Sequence, residues 1–102
     1  MQVAVVQLHI FSAAIVDADG VSWKVYAQGA RRSDDLWIGW LEFVARGGRH
    51  IRVTDRETTQ PSLESLVYWA TGLEPVYLEG AFARSFPSAA PGLPLTGERL
   101  VA

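Results

Sequence analysis

Apolar and polar residues alternate along the first half of this chain, and the period then changes. Ala4, Val6, Leu8 and Ile10 fall on one side of an extended segment, with Val3, Val5 and Phe11 on the other. Asp17-Ala18-Asp19-Gly20 supplies the positive φ that a tight hairpin needs, Arg31 to Asp35 is a polar loop, and Gly47-Gly48 marks a further hairpin. These breaks predict strands near 2–16, 21–29, 36–46 and 49–54. The connections between them are short enough to force antiparallel neighbours. Leu63, Leu66, Val67 and Ala70 then recur at i, i+3, i+4 and i+7, one stripe of a helix. Pro61 suits a first helical turn, Thr58, Thr59 and Ser62 offer capping oxygens, and Gly72 suits a helix end, so the helix is placed at 61–71. A fifth strand is placed at Val76 to Ser85, after Pro75.

Direction counting makes the fifth strand antiparallel to the first. The expected fold is α+β: a twisted antiparallel sheet of about five strands in the order 5-1-2-3-4, open or curled towards a small barrel, with one helix packed on one face. The core is expected to hold Val6, Leu8, Ile10, Trp23, Val25, Ile38, Ile51, Val53, Leu63, Leu66, Val67, Ala70, Val76 and Leu78. Residues 1–86 form the domain in this reading. Residues 87–102, rich in Pro, Gly and Ala, form a tail that does not extend a ladder. The third strand is apolar on both sides, with Leu36, Ile38 and Trp40 opposite Trp37, Leu41 and Phe43. One helix covers one face, so barrel closure, the tail or a second copy of the chain must cover the other. A dimer is slightly preferred.

Composition narrows the class without naming a function. The chain has 102 residues, 49% apolar and 20% charged, with net charge −2 and no cysteine. One folded domain without disulfides or thiolate sites follows. The N-terminus lacks the basic region of a signal peptide and is too short to span a membrane, so a small cytoplasmic bacterial protein is expected. Among the basic residues Lys24 is the sole lysine, which reads as genome composition bias.

Candidate chemistry is sparse. Trp23, Trp37, Trp40 and Trp69 sit with Tyr26, Tyr68 and Tyr77 in a short chain, and rings beside Asp34, Asp35, Glu42 or Glu64 suit a cationic ligand. The plain alternative is that these rings fill the core. Tyr68 is the ring least explained by packing, because it points away from the helical stripe. Thr54 to Gln60 is the densest polar run and ends at a helix N-terminus, where free N–H groups favour an anion. Tyr68, Trp69, Trp37, Arg56, Glu57, Thr58 and Thr59 are therefore the candidate ligand or interaction residues. The plain reading of the run is a capped loop whose Asp55 or Glu57 already supplies the negative charge. Arg46, Arg49 and Arg52 form a candidate anion patch on the third hairpin, while residues 57–83 carry four glutamates and no basic side chain. The two halves are thus suited to pair within or between subunits.

No catalytic or metal-binding constellation is present: His9 and His50 lie on separate strands, and Asp34-Asp35 is read as a solvated pair. Asp17-Ala18-Asp19-Gly20 is like a fragment of a calcium loop, but Gln28 stands where the twelfth-position carboxylate belongs. Leu93-Pro94-Leu95-Thr96-Gly97-Glu98 resembles the LPxTG sorting signal of sortase substrates. That signal is followed by a hydrophobic span and a basic tail, whereas Arg99 to Ala102 follow here, so the match is read as chance. No cofactor is expected. The leading expectation is a non-enzymatic protein-interaction module, self-associating as a homodimer or binding a protein partner. A small-molecule binder or minor enzyme with an aromatic pocket near 54–60 is second, and nucleic-acid binding through the Arg-rich 46–56 hairpin is third.

Overall fold

The spine of the computed structural model, which describes residues 4–88, is a hairpin of β3 (Ser22–Arg31) and β4 (Trp37–Ala45), paired from Trp23↔Ala45 to Arg31↔Trp37. Its turn is held by short-range polar contacts. Asp35 takes a positive φ of 69°, and the Asp34 carboxylate accepts from Arg32 Nη2 at 2.6 Å and from the Leu36 N–H at 3.2 Å. The Arg32 hydrogen bond lowers the Asp34 pKa to about 2. The Asp34-Asp35 pair therefore serves the turn, with Arg31 on Asp35 at 2.7 Å.

Beyond β3 lie β1 (Val6–Ile10) and β2 (Ile15–Val16); beyond β4 lie β5 (Ile51–Val53) and β6 (Thr58–Gln60). The predicted first strand is thus two strands separated by residues 11–14, with a bulge between Gln7 and His9 in β1. The Asp17 turn after β2 behaves as the sequence suggested, with Gly20 at φ 84°. The Asp17 carboxylate accepts from the N–H groups of Asp19 and Val21 at 2.9 Å and from the Trp23 indole at 3.0 Å. That indole bond is the leading cause of a lowered Asp17 pKa.

Two helices, α1 (Leu63–Thr71) and α2 (Pro75–Ala83), follow, and then the short β7 (Phe86–Pro87) on β5. The open, all-antiparallel sheet has seven strands ordered β1-β3-β4-β5-β7, with β2 on β3 and β6 on β4. Three expectations are corrected. The segment Val76 to Ser85 is a helix, because Pro75 fits its first turn and Tyr77, Leu78, Ala81 and Phe82 form one helical stripe. The last strand joins β5 at the opposite edge from the one expected, so the order is not 5-1-2-3-4. The first helix begins at Leu63: Ser62 is its N-cap, in a reciprocal capping box with Ser65, and Pro61 precedes the cap. Pro87 ends β7 at the sheet margin, where its missing N–H is not needed. The expected tail, residues 87–102, therefore begins in a ladder it was not expected to extend, since Pro87 pairs with Arg52 and Ser88 N–H donates to Ile51 O. Its remainder from residue 89 and the sorting-signal match lie outside the described residues.

Both helices cover the same sheet face. Trp23, Val25 and Ala27 of β3 and Leu41, Phe43 and Ala45 of β4 point there and pack with Ala70, Leu78 and Ala81. The Phe82 ring centre lies 5.2 Å from that of Trp23, tilted at 58°, and 5.1 Å from that of Phe43, edge to face at 83°. The cross-strand pair Gly29↔Gly39 forms a notch for Leu66. A Cβ on Gly29 would lie 2.6 Å from Leu66 Cδ2, and one on Gly39 2.9 Å from Leu66 Cδ1. Of the expected core, Val76 is 76% exposed and Ile10 45% exposed; Leu63 also faces solvent, and Val6, Leu8 and Val67 are half-buried.

The other face divides in two. On its β4–β5 side Ala30, Ile38, Ile51 and Val53 are buried and Trp40 is 2% exposed. On its β1–β2 side Ile10 is open and Val16 is 65% exposed. Because these burials belong to one chain, the β4–β5 side does not require a second copy to become dry. No helix of the described residues is long and apolar enough to cross a membrane.

Candidate functional site

The polar run that follows β5 is built by an interruption of the β4 ladder. Thr54 N–H donates to Leu41 O and Glu57 N–H to Gly39 O, so Asp55 and Arg56 are looped out between these two pairings. The Thr54 hydroxyl accepts the Leu41 N–H at 3.0 Å in place of a backbone carbonyl. An irregularity of this kind re-aims a side chain, and here it sends Glu57 beneath α2.

There the Glu57 carboxylate accepts from the Tyr77 hydroxyl and from Arg84, whose guanidinium also lies 5.3 Å from the Tyr77 ring centroid. Glu57 is buried and Arg84 half-exposed. Burial pushes the Glu57 pKa up, but the hydrogen bonds from Arg84, Tyr77 and Thr54 outweigh it, and the net shift is downward. Tyr77 is pushed up to about 12, first by burial and then by the Glu57 carboxylate. A second clamp holds the end of the same helix. Arg52 donates to Ser85 Oγ at 2.9 Å and to the Ser85 carbonyl, and stands 5.7 Å from the centre of the Phe82 ring. A cation beside the last carbonyls of a helix is favourably placed.

The seven candidate residues do not converge. Trp69 and Thr58 meet over Gly39, where they pack with Leu66. Trp37 shares that face farther along β4, paired with Gln60 and Arg31. Glu57 turns to α2, Thr59 is exposed opposite Ile38 on the other face, and Arg56 is exposed in the loop. Tyr68 points outward from α1, 81% exposed. The anion patch divides as well: Arg46 and Arg49 are exposed at the β4–β5 turn, whereas Arg52 is spent on α2.

Sequence reasoning missed Tyr77, Arg84 and Ser85 as partners. The available signal was Arg84 itself, the first basic residue after an acidic stretch, but placing Val76 to Ser85 in a strand hid its reach to Glu57. Of the histidines, His9 packs edge-on to Phe11 at 4.7 Å and His50 is exposed. Among the described residues no group of three or more His, Asp or Glu side chains is placed to hold a metal ion.

The surface best suited to a partner is the margin of the sheet. β1 and β2 form its outer edge, and among the described residues no strand pairs with their free side. Val5, Ile10, Val16 and Val21 are exposed along this margin. Compared with protein families, curated proteins and solved structures, the chain matches none.

Proposed function

We propose that this chain is a non-enzymatic protein-interaction module of the cytoplasm that self-associates by edge-to-edge pairing of β1 and β2 with a second copy. The observation that supports the reading is the conjunction of an open edge with exposed apolar side chains. Unpaired N–H and C=O groups of an edge strand are a template for another strand. Protected edges carry charges or covering elements; this one presents Val5, Ile10, Val16 and Val21. Of the polar run that looked most like a ligand loop, Glu57 is engaged in holding α2, which leaves its carboxylate already partnered.

Sedimentation velocity over a dilution series in about 0.5 M salt, which screens contacts between exposed charges, tests the proposal. The wild-type chain is expected to form a concentration-dependent dimer. The double variant Ile10→Lys/Val16→Glu, which preserves net charge, should be monomeric with an unchanged circular dichroism spectrum. A wild-type monomer at every concentration, or a dimer indifferent to both charges, would overturn it.

A further inference from the structure

The outer surface of the helices carries a second pattern that the edge does not use. Glu64, Tyr68 and Thr71 form an outward stripe on α1 at i, i+4 and i+7, and Val76, Glu79 and Ala83 form one on α2. Tyr68 and Val76 are the most exposed large apolar side chains of the described residues. Glu64 on α1, Glu74 at the N-cap of α2 and Glu79 on α2 are exposed with no ion pair among the described residues, and residues 57–83 supply no basic side chain. The first basic residue beyond them, Arg84, is already held by Glu57. Tyr68, exposed with the Glu64 carboxylate one turn away on the same helix, is a surface for a cation, which the ring face and the acid attract together.

The complementary surface is on the same chain. The turn between β4 and β5 carries Arg46, Gly47, Gly48, Arg49 and His50, with all but the half-buried Gly48 exposed. Gly47 and Gly48 adopt φ of 93° and 74°, and a Cβ built on either meets nothing within 4 Å, so the turn projects into open space. Arg46 and Arg49 make no ion pair among the described residues. The hairpin is therefore a narrow cationic projection, and the helical layer an acidic and aromatic surface of opposite sign.

We infer that the helical layer of one copy docks the β4–β5 hairpin of another, with Arg46 and Arg49 against Glu64, Glu74 and Glu79 and a guanidinium over Tyr68. This rests on the reading that the chain self-associates, but it uses a different surface. Edge pairing joins like surfaces and closes as a dimer, whereas hairpin on helices joins two different surfaces, so it closes as a reciprocal pair or a ring or continues into longer assemblies. The contact is electrostatic and exposed, so salt weakens it.

The test uses the full chain carrying Ile10→Lys/Val16→Glu, so that edge pairing is removed and its outcome is read separately. Sedimentation equilibrium at low salt should show association beyond the monomer, weakened about tenfold or more when salt is raised to about 0.5 M. In that background Glu64→Arg/Glu79→Arg and Arg46→Glu/Arg49→Glu should each lose association, and an equimolar mixture of the two should recover it. Thermal melts confirm that each variant is folded. Strict monomers at low salt, association insensitive to salt or to either swap, or a mixture that fails to recover would each overturn the inference.

Discussion

Two glycines and a leucine set how closely α1 approaches the sheet. Leu66 is fully buried, and its methyl groups occupy the space that side chains at Gly29 and Gly39 would take. Leu66→Ala should therefore cost about 2–5 kcal/mol in chemical denaturation, through lost burial and an unfilled cavity. Gly29→Ala should cost about 1–3 kcal/mol by overpacking. Together they should cost less than their sum by more than about 0.5 kcal/mol, because truncating Leu66 makes room for the new methyl. Strict additivity would mean that the clash is with Leu8 or the Ile38 carbonyl, each 3.1 Å from that Cβ. The Glu57 cluster makes a different prediction, in pH. Glu57 has a folded pKa below its ordinary 4.5, so its contribution is present above that value and lost as pH falls below it. Tyr77 is raised from 10 to about 12, so its contribution is present below pH 10 and lost as pH rises towards 12. Glu57→Gln should flatten the acid limb of a denaturation-midpoint profile, and Tyr77→Phe the alkaline limb. Limbs unchanged in both variants would show that the cluster does not couple to folding.

The element most dependent on such contacts is α2. It buries only Leu78 and Ala81 fully, and its C-terminus is fastened by Arg52 on Ser85 and Arg84 on Glu57. Arg52→Ala should speed amide exchange within Leu78–Ala83 while the β3 and β4 amides keep their protection, since local opening follows the weakest set of contacts. Arg52→Lys should not restore protection, because an ammonium lacks the planar fork that reaches both Ser85 oxygens. Uniform acceleration across β3 and β4 would instead make α2 part of the global unfolding unit. The same element shows where the sequence was opaque. In α1 the period was plain, since Leu66 and Ala70 face inward and Glu64 and Tyr68 outward. In α2 Tyr77, Leu78, Ala81 and Phe82 face inward, but Val76 and Ala83 are apolar and exposed, so the inward stripe does not stand out against its outer face in the sequence. Its Val, Tyr and Phe then favoured a strand on propensity alone. The β2–β3 and β4–β5 turns were legible because Gly20, Gly47 and Gly48 are required by positive φ, a local property. The Glu57 cluster was not, since its members come from segments separated by 20 and 27 residues.

At the scale of the molecule, the apolar residues on both sides of the sheet were visible in sequence, but the division of the second face was not. Coverage depends on how all segments come together, and alternation reports only which side a residue takes. In the fold the β4–β5 side of that face is dry within one chain, while the β1–β2 side stays open. Self-association through the edge should therefore leave Trp40 unaffected and change the surroundings of Ile10 and Val16. Incorporation of 5-fluorotryptophan makes this measurable by ¹⁹F NMR, with Trp40 assigned from Trp40→Phe. That substitution orphans no acceptor, since the Trp40 indole N–H has no hydrogen-bond partner among the described residues. The smaller ring leaves a cavity at a buried position and should cost about 1–3 kcal/mol, so the variant is used for assignment only. The Trp40 resonance should show a negligible H₂O/D₂O isotope shift in both the wild-type chain and Ile10→Lys/Val16→Glu at every concentration. A shift that grows on dilution would mean that a second copy dries this side of the sheet. The interface would then have to be moved from the β1–β2 edge to the face around Trp40.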